Sequence, residues 1–506
     1  MNINDLRSQS ALDLPQEQLD EISLQVTHLV SDYFTGIRDR SVRPDNHAGK
    51  TLKAIDNKLD RQPVPLATLM NECQAMFDLS RHNGHPRFFG YVASPSTPIG
   101  AYADLVASTL NANITCWRSG PAGTEVERLV VRWLGQLISY DDDASGLLTS
   151  GGSMANMIAL LIAARRTLGP DVRTKGLWQS GSPLTIYASN EAHLSVAKAA
   201  DILGFGRDSI RTVACDQRHR LIPAHLRQLI QEDLKNGFRP SCVVGSAGTV
   251  NTGVVDPLHE VAEIAHEFEM WFHVDGAYGA PGVMDPEKKK LFHGLAQADS
   301  VSLDPHKWLY VPVDVGCLLF RDSETAASTF RTDEADYIKL HGHQDDEAFA
   351  FWDYGIELSR RFRALKVWFT LRYYGAERIA QSIAEDNALA QYLAFLVDEA
   401  EDLELLAPVE LSICCFRYLP YKILAQWNGA SPGDRQMLDR ALNDFNERLM
   451  SRVQTSGRAY LSNAMIDGRF ALRACITNFR TTKQDIDDTV NVVRDLALEL
   501  QGTLFF

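Results

Sequence analysis

The chain has 506 residues, of which 45% are hydrophobic and 23% charged, a balance typical of globular proteins. Its 50 basic and 65 acidic residues give a formal net charge of −15, and no long basic run is present. Neither nucleic acid nor an anionic membrane is therefore expected as a partner. The sequence has no continuous apolar stretch of roughly eighteen residues, so we predict no membrane span.

The N-terminal sequence lacks the basic and then apolar pattern of a signal peptide. The 8 cysteines are scattered and form no Cys-x-x-Cys pair, which predicts small buried side chains rather than a disulfide framework or a zinc site. We therefore expect a cytoplasmic protein without a metal centre. A chain of this length is also expected to form more than one domain.

Residues 1–85 carry apolar side chains at helical spacing, which predicts an amphipathic helix. The apolar positions are Leu19, Ile22, Val26, Leu29, Val30, Tyr33 and Ile37. A helix ahead of the main domain must bury this stripe, either against the core of its own chain or against a partner subunit.

Residues 86–380 alternate short apolar runs with amphipathic stretches, which predicts an α/β domain with a largely parallel sheet. The polar segment 331–359 interrupts this pattern, and long segments of this kind are often lids over a site. Residues 381–506 combine helical patterns with two strand-like runs and predict a small α+β domain. The predicted strands are 184–188, 242–245, 270–274, 300–303, 316–320, 410–417 and 469–476.

Two predicted strands end at residues that could hold an aldehyde cofactor. Lys307 follows strand 300–303 within Asp-Pro-His-Lys-Trp (304–308). A lysine in the crevice beyond strand ends can be desolvated and become a Schiff-base nucleophile, although an isolated loop lysine is usually solvated. Asp275 follows the apolar run 270–274, so its carboxylate needs a partner such as a protonated ring nitrogen, a helix end or a cation.

Three further strand ends carry polar or flexible residues. Gly151, Gly152 and Ser153 precede a helical stretch whose first N–H groups could hold a phosphate. His193 could stack on a flat ring, and the Thr249 hydroxyl could contact a ring substituent. Each position alone is weak evidence for a ligand. Together the five strand ends provide what pyridoxal 5′-phosphate (PLP) requires: an amine, a ring-nitrogen partner, a phosphate cradle, a stacking ring and a hydroxyl.

On these residues the chain resembles the group II PLP-dependent amino-acid decarboxylases, which include the aromatic-L-amino-acid decarboxylases. The similarity extends from about residue 20 to about residue 490. It implies the type I aminotransferase-like fold and a homodimer with active sites at the interface, in which segment 1–85 wraps around the partner. The motifs that carry it are Asp-Pro-His-Lys-Trp (304–308), His-Val-Asp-Gly-Ala-Tyr (273–278), Asn-Glu-Ala-His (190–193), Gly-Pro-Ala-Gly-Thr-Glu (120–125) and Arg-Arg-Phe-Arg-Ala-Leu-Lys (360–366).

The resemblance also implies a role for each matching residue. Lys307 would form the Schiff base with PLP, Asp275 would pair with the pyridine nitrogen, and His193 would stack on the ring. Ala277 would support the opposite face, and Thr249 would lie beside the ring. Further cofactor-binding positions would be Gly151, Gly152, Ser153, Asp304 and His306. The substrate would replace Lys307 on the cofactor, lose CO2, take a proton at Cα and leave as the amine.

The resemblance assigns the proton donor to the segment 331–359. Tyr337 matches the family's loop tyrosine, and Tyr354 is the other tyrosine in this segment. The segment also contains four residues of metal-ligating types, but no strand or helix pattern fixes their geometry, so we do not expect a metal there. These residues are His341, His343, Asp345 and Asp346.

Aromatic residues in the segments that resemble the family's pocket favour an aromatic or large apolar substrate side chain, although core packing is the alternative for each. These residues are Phe88, Phe89, Tyr91 and Trp117. Arg118 stands where relatives have a small residue and would suit glutamate or aspartate, the alternative substrates. Two other departures affect the phosphate site: Asp304 replaces an asparagine, and Gly151 and Gly152 replace serine and alanine.

Three other functions are compatible with the same scaffold: an oxidative aldehyde synthase, an aminotransferase and a PLP-binding protein without activity. Aldehyde synthases of this family often replace the loop tyrosine or the stacking histidine, whereas Tyr337 and His193 are both present here. The His-Lys-Trp context of Lys307 disfavours an aminotransferase. Intact Lys307 and Asp275 argue against a protein that binds PLP without catalysis.

Overall fold

The computed structural model describes residues 12–55, 59–176, 181–331, 349–427 and 430–504. The first described elements are α1 (Gln16–Thr35), α2 (Ala48–Ile55), α3 (Leu66–Leu79) and strand β1 (Phe88–Phe89). Helix α1 packs against α3 but buries none of its residues completely. Leu19 in α1 is 44% exposed, so the single chain covers only part of the apolar stripe predicted for this helix.

A large sheet carries the predicted α/β region. Its strands are β2 (Ser145–Thr149), β3 (Leu184–Ser189), β4 (Ile210–Val213), β5 (Arg239–Ser246), β6 (Trp271–Asp275), β7 (Ser300–Leu303) and β8 (Gly316–Phe320). They lie in the order β2-β8-β7-β6-β5-β3-β4, and among these described strands β8 alone runs in the direction opposite to the other six. The central strands are buried on both faces, which explains why they read as short continuous apolar runs.

Helices cover both faces of this sheet, as a mostly parallel sheet requires. They are α4 (Pro98–Leu110), α5 (Pro121–Leu137), α6 (Gly152–Leu168), α7 (Val172–Lys175), α8 (Ser195–Ile202), α9 (Pro223–Lys235), α10 (Leu258–Glu267), α11 (Ser323–Phe330) and α12 (Ala364–Asp398). Helix α6 crosses β5, β6, β7 and β8 and begins at the edge where the parallel strands end. Helix α12 is interrupted at Gly375, whose φ of +75° is not helical.

A second, smaller sheet forms the C-terminal region. Its strands are β1, β9 (Leu403–Leu405), β10 (Ile413–Tyr418), β11 (Tyr460–Ile466) and β12 (Arg469–Cys475), in the order β1-β11-β12-β10-β9. Helices α13 (Tyr421–Trp427), α14 (Pro432–Thr455) and α15 (Lys483–Leu504) accompany it. Strand β1 pairs in parallel with β11. Residues 88–89, which we assigned to the large domain from the sequence, therefore belong to the C-terminal sheet.

The predicted α/β architecture with a mostly parallel sheet is confirmed, and the strands at 300–303 and 316–320 have the predicted bounds. The strand predicted at 410–417 begins later, at Ile413; the Glu410 carboxylate before it accepts hydrogen bonds from Arg218 and the Val255 N–H. All eight cysteines are free thiols. Among the described helices, none is long and apolar enough to cross a membrane. The residues that the structure describes contain no cluster of three or more His, Cys, Asp or Glu side chains that could hold a metal ion.

Candidate active site

A cavity of about 560 Å³ lies at the edge of the large sheet where the parallel strands end. Its walls come from the first turn of α6, from the loops after β3, β5, β6 and β7, and from β11 and β12. The structure thus brings every cofactor-binding position inferred from the sequence to one cavity. These residues are Gly151, Gly152, Ser153, His193, Thr249, Asp275, Ala277, Asp304, His306 and Lys307.

Lys307 lies in the loop between β7 and β8, and its Nζ is 2.9 Å from Oδ2 of Asp304. The loop is fixed at the next residue, Trp308, which is fully buried and whose Nε1 donates to Asp386 over 2.9 Å. The hydroxyl of Tyr310 donates to the same carboxylate over 2.8 Å. Burial raises the pKa of Asp386 to about 7. Lys307 is therefore a cavity amine on a loop held by a buried acid.

Asp275 is the last residue of β6, and its carboxylate lines the cavity. Oδ2 accepts a hydrogen bond from Nδ2 of Asn156 over 2.8 Å. Oδ1 accepts from the Ser302 hydroxyl and from the Ala277 N–H, both over 3.2 Å. All three partners are donors, which favours the ionised carboxylate. A buried anion of this kind could pair with a protonated pyridine nitrogen.

His193 follows β3, and its Nδ1 lies 2.8 Å from the Ser195 hydroxyl and 3.2 Å from the Ser195 N–H. Burial lowers the pKa of His193, although the charge of Asp275 opposes this effect. The imidazole is therefore neutral near pH 7. A neutral flat ring on the cavity wall could stack on the face of an aromatic cofactor.

The start of α6 forms a cradle with room for an anion. No side chain among the described residues caps this helix at Gly151, so the N–H groups of its first turn are available to a ligand. A Cβ atom on Gly152 would lie 2.7 Å from Cβ of Ala277, which leaves no space for a side chain. A Cβ atom on Gly316, the first residue of β8, would lie 2.5 Å from Cα of Gly151. Glycine is thus required where these segments meet.

Asp304 and His306 border this cradle. Asp304 is buried, and its Oδ1 has no hydrogen-bond partner among the described residues. A Cβ atom on Gly152 would lie 3.1 Å from Oδ2 of Asp304, so the acid is next to the helix start. Burial lowers the pKa of His306, against the opposing charge of Asp304. Thr249, further along the wall, is buried and shares a 2.9 Å hydrogen bond with the hydroxyl of Thr252.

Sequence reasoning missed Arg473, which reaches the cavity from β12 of the smaller sheet. Its side chain is buried; Nε donates to the carbonyl of Asn251 over 3.1 Å and Nη1 to the carbonyl of Tyr91 over 2.8 Å. Nη2 has no hydrogen-bond partner among the described residues. Arg473 could therefore receive a carboxylate in the cavity. The signal available in the sequence was an arginine within the predicted strand 469–476, but the sequence does not show which sheet this strand joins.

Only part of the predicted substrate pocket lies at the cavity. Tyr91 lines it. Phe88 and Phe89 do not, because both are 1% exposed and pack in the core around β1. Trp117 and the exposed Arg118 are not on the cavity wall of the described chain either. Of the five residues assigned to one pocket, Phe88 and Phe89 thus pack in the core of the described chain instead.

The predicted proton donor, Tyr337, lies outside the described residues, as do His341, His343, Asp345 and Asp346. Tyr354, the alternative tyrosine, is described and packs between aromatic rings rather than at the cavity. Its ring stacks on Phe320 at 5.9 Å and on Phe349 at 5.6 Å.

The chain is similar to known proteins along nearly its whole length. Residues 49–419 match the model of the pyridoxal-dependent decarboxylase conserved domain. The chain belongs to the pyridoxal-dependent decarboxylase family. An aromatic-L-amino-acid decarboxylase of Bacillus atrophaeus is 32% identical to this decarboxylase over 494 residues, or 97% of each chain. A phenylacetaldehyde synthase of Petunia hybrida is 28% identical and covers 96% of this chain and 95% of its own.

A crystal structure of Oryza sativa TDC with PLP and tryptamine superposes on the decarboxylase with a TM-score of 0.87. The two are 26% identical, and the match covers 97% of this chain and 100% of the other. The fold is therefore the type I PLP-dependent fold. The enzyme is a carboxy-lyase that acts on an amino acid with PLP as its cofactor.

The described residues fit this cofactor. The uncapped start of α6 suits the phosphate, and the Asp275 carboxylate suits a protonated ring nitrogen. Lys307 supplies the amine for the aldehyde. The cavity volume of about 560 Å³ lies in the range of small-molecule sites. The acid at Asp304 is the one component that a phosphate does not call for; in this structure its Oδ2 lies 2.9 Å from Nζ of Lys307.

Proposed function

We propose that this decarboxylase converts an L-amino acid with an aromatic or large apolar side chain into the corresponding amine and CO2. The observation that carries the proposal is one cavity that contains the Lys307 amine, the Asp275 carboxylate and an unpartnered edge of Arg473. Apolar surface from Tyr91, Val92 and other wall residues suits such a side chain. The aromatic-L-amino-acid decarboxylase of Bacillus atrophaeus supports the same substrate class.

PLP, when bound, supplies an aldehyde for the amine and an electron-withdrawing pyridinium ring for the bond to be broken. In our proposal Lys307 holds the cofactor covalently, and Asp275 keeps the ring nitrogen protonated. His193 and Ala277 contact the two faces of the ring. The remaining contacts are assigned to the phosphate and the ring substituents; they come from Gly151, Gly152, Ser153, Thr249, Asp304 and His306.

We assign the orientation of the substrate to Arg473. Its Nη2 would bind the α-carboxylate and hold the bond to Cα in the position from which CO2 leaves. The proton that replaces CO2 on Cα is assigned to Tyr337, on the segment 331–359 that would close over the cavity and exclude water. The family resemblance of the loop supports this assignment.

The test of the substrate class is CO2 release and amine formation measured across the twenty amino acids. We expect the highest kcat/KM for an aromatic amino acid and the lowest values for glutamate and aspartate. Higher activity on an acidic amino acid would contradict the proposal. Arg473→Lys tests whether the guanidinium binds the α-carboxylate or the side chain of the substrate. A fall in kcat/KM of about tenfold or more on every substrate indicates that it binds the α-carboxylate. A fall on acidic substrates alone indicates that it binds the substrate side chain.

An oxidative aldehyde synthase is the second candidate, supported by the similarity to the phenylacetaldehyde synthase of Petunia hybrida. It would consume O2 and water and release an aldehyde, CO2, ammonia and hydrogen peroxide instead of the amine and CO2. His193 at the cavity wall and Tyr337 in the sequence favour the amine. Quantification of peroxide and ammonia beside CO2 separates the two activities.

We further propose a cytoplasmic homodimer with the active sites at its interface. The partly uncovered apolar face of α1, including the 44% exposed Leu19, supports a partner subunit over segment 1–85. Sedimentation equilibrium should give twice the 56.4 kDa mass of the chain. A monomer that turns over substrate at full rate would contradict this part of the proposal.

A further inference from the structure

A chain of buried polar side chains runs behind the cavity wall and ends at the two groups that face the cofactor. It begins at Trp271, passes through Ser300 and His273 to Asn156, and divides there. One branch reaches Asp275 directly, and the other reaches His193 through Ser195. The side chains between the cavity and Trp271 are all buried, so their hydrogen bonds cannot be replaced by bulk water.

The first half of this chain has a fixed direction of donation. The Trp271 indole can only donate, and its Nε1 lies 2.8 Å from the Ser300 hydroxyl. Ser300 and Nδ1 of His273 lie 2.8 Å apart, and the Ser300 hydroxyl has both a hydrogen and a second lone pair for this contact. Burial lowers the pKa of His273 to about 4, so the ring is neutral, and its one hydrogen is on Nε2 because that atom faces the Oδ1 acceptor of Asn156. That atom donates to Oδ1 of Asn156 over 3.0 Å.

The second half reaches the same assignment from the opposite end. The ionised Asp275 carboxylate can only accept, so the Asn156 atom beside it is Nδ2, which places Oδ1 toward His273 and both amide hydrogens on the cavity side. One goes to Asp275 over 2.8 Å and the other to the Ser195 hydroxyl over 2.9 Å. Ser195 then donates to Nδ1 of His193 from its hydroxyl and, over 3.2 Å, from its backbone N–H. The hydrogen of the neutral His193 ring is therefore on Nε2.

We propose that Asn156 is a positioning residue that keeps Asp275 ionised and His193 in the Nε2–H form by donating one amide hydrogen toward each. The inference rests on the roles assigned above to these two residues. Asn156 is suited to the task because an amide offers two donors and one acceptor, and all three are used here. An aspartate would have the same shape but no donor at either branch.

The test is Asn156→Asp, which replaces the donor beside Asp275 by an oxygen at about the same place. Two carboxyl groups at this distance must share a proton, which lowers the negative charge on the Asp275 carboxylate that would face the cofactor's ring nitrogen. We expect PLP to bind about tenfold or more weakly and the absorption and circular dichroism of the bound cofactor to change. Both readouts are independent of catalytic turnover.

Asn387→Asp is the matched control. Asn387 is also buried, and its Nδ2 donates to Oδ2 of Asp285 over 2.8 Å, but neither residue lines the cavity. This variant should lose stability in the apo form as Asn156→Asp does, and it should keep the PLP dissociation constant within about twofold and the spectra of the wild type. Asn156→Leu removes the same donors without adding an acid and answers the question if Asn156→Asp does not fold.

The inference is overturned if Asn156→Asp and Asn156→Leu bind PLP with wild-type affinity and spectra, or if Asn387→Asp disturbs the cofactor equally. Failure of the proposed function is a different result. In that case wild-type protein would show no covalent PLP at Lys307, whatever residue stands at position 156.

Discussion

The buried pair of Glu127 and Arg360 allows a quantitative prediction about the strand that leads to the phosphate cradle. Both side chains are at most 1% exposed, and Nη2 of Arg360 lies 2.5 Å from Oε1 of Glu127. The pair also binds both backbone groups of Leu148 in the edge strand β2: its N–H donates to Glu127 over 2.9 Å, and its carbonyl accepts from Arg360 over 2.8 Å. Gly151 follows three residues later.

Glu127→Gln keeps the shape of the side chain and removes its charge, which leaves the Arg360 guanidinium buried without its closest counter-ion. Loss of one partner of a buried pair costs about 3–5 kcal/mol. Glu357 remains as a second counter-ion, with Oε2 3.9 Å from Nε of Arg360. We therefore expect the free energy of unfolding to fall by about 3 kcal/mol, the lower end of this range. The same variant should weaken PLP binding, because the weakened pair also holds the backbone of Leu148, close to the cradle.

The assay is urea-induced unfolding of the apo protein, with PLP affinity measured separately. Glu125→Gln is the matched control, since Glu125 pairs with Arg128 at the surface, where the two side chains are 50% and 33% exposed. This control should lower the free energy of unfolding by no more than about 1 kcal/mol, because exposed ion pairs contribute no more than that. Equal losses in the two variants would refute the argument that burial makes the first pair critical.

Three other outcomes are expected. Because burial raises the pKa of Asp386 from 3.8 to about 7, the folded protein keeps a proton that the unfolded chain releases, and stability falls as pH rises from about 4 to 7. Asp386→Asn should therefore gain up to about 4 kcal/mol relative to wild type between pH 4 and pH 8 in denaturant titrations, and parallel pH curves would contradict this. Lys307→Ala should lose the borohydride-reducible chromophore and CO2 release together; retained turnover would reject the assignment. Tyr337→Phe should slow amine formation and raise the aldehyde fraction, whereas Tyr354→Phe should leave the product ratio unchanged.

The sequence predicts the cofactor side of the cavity well, for a physical reason. Buried parallel strands read as short apolar runs, and the polar residues that follow them must lie at one edge of the sheet. Lys307, Asp275 and His193 each follow such a run, so their common location could be inferred without knowing the strand order.

The sequence predicts the substrate side less well, because it depends on long-range packing. Phe88 and Phe89 are as apolar as a pocket wall, and only their pairing with β11, far along the chain, shows that they are core residues. Tyr91, two residues further, reaches the cavity at a backbone φ of +60° that no sequence pattern indicates. Arg473 is comparable: its partners, the carbonyls of Tyr91 and Asn251, are remote in sequence.

Asn156 was missed for a third reason. It lies one turn into α6, between apolar residues that the helical pattern assigns to the core. Its position under the cavity follows from where α6 crosses β6, and hence from the packing of helix on sheet. A single polar residue in a buried helical face was the available signal.

The reversed direction of β8 has a consequence for how the cofactor is received. Since β8 returns along β7, the segment 304–315 is a short loop with both ends fixed in adjacent strands, rather than the start of a long helical crossover. Fixing the backbone of one residue costs about 1–2 kcal/mol of conformational entropy. For this loop the entropy is lost when the sheet folds, before the cofactor binds. The nucleophile is thus in place before any aldehyde arrives, and the apo and loaded enzymes should show the same protease resistance across this loop.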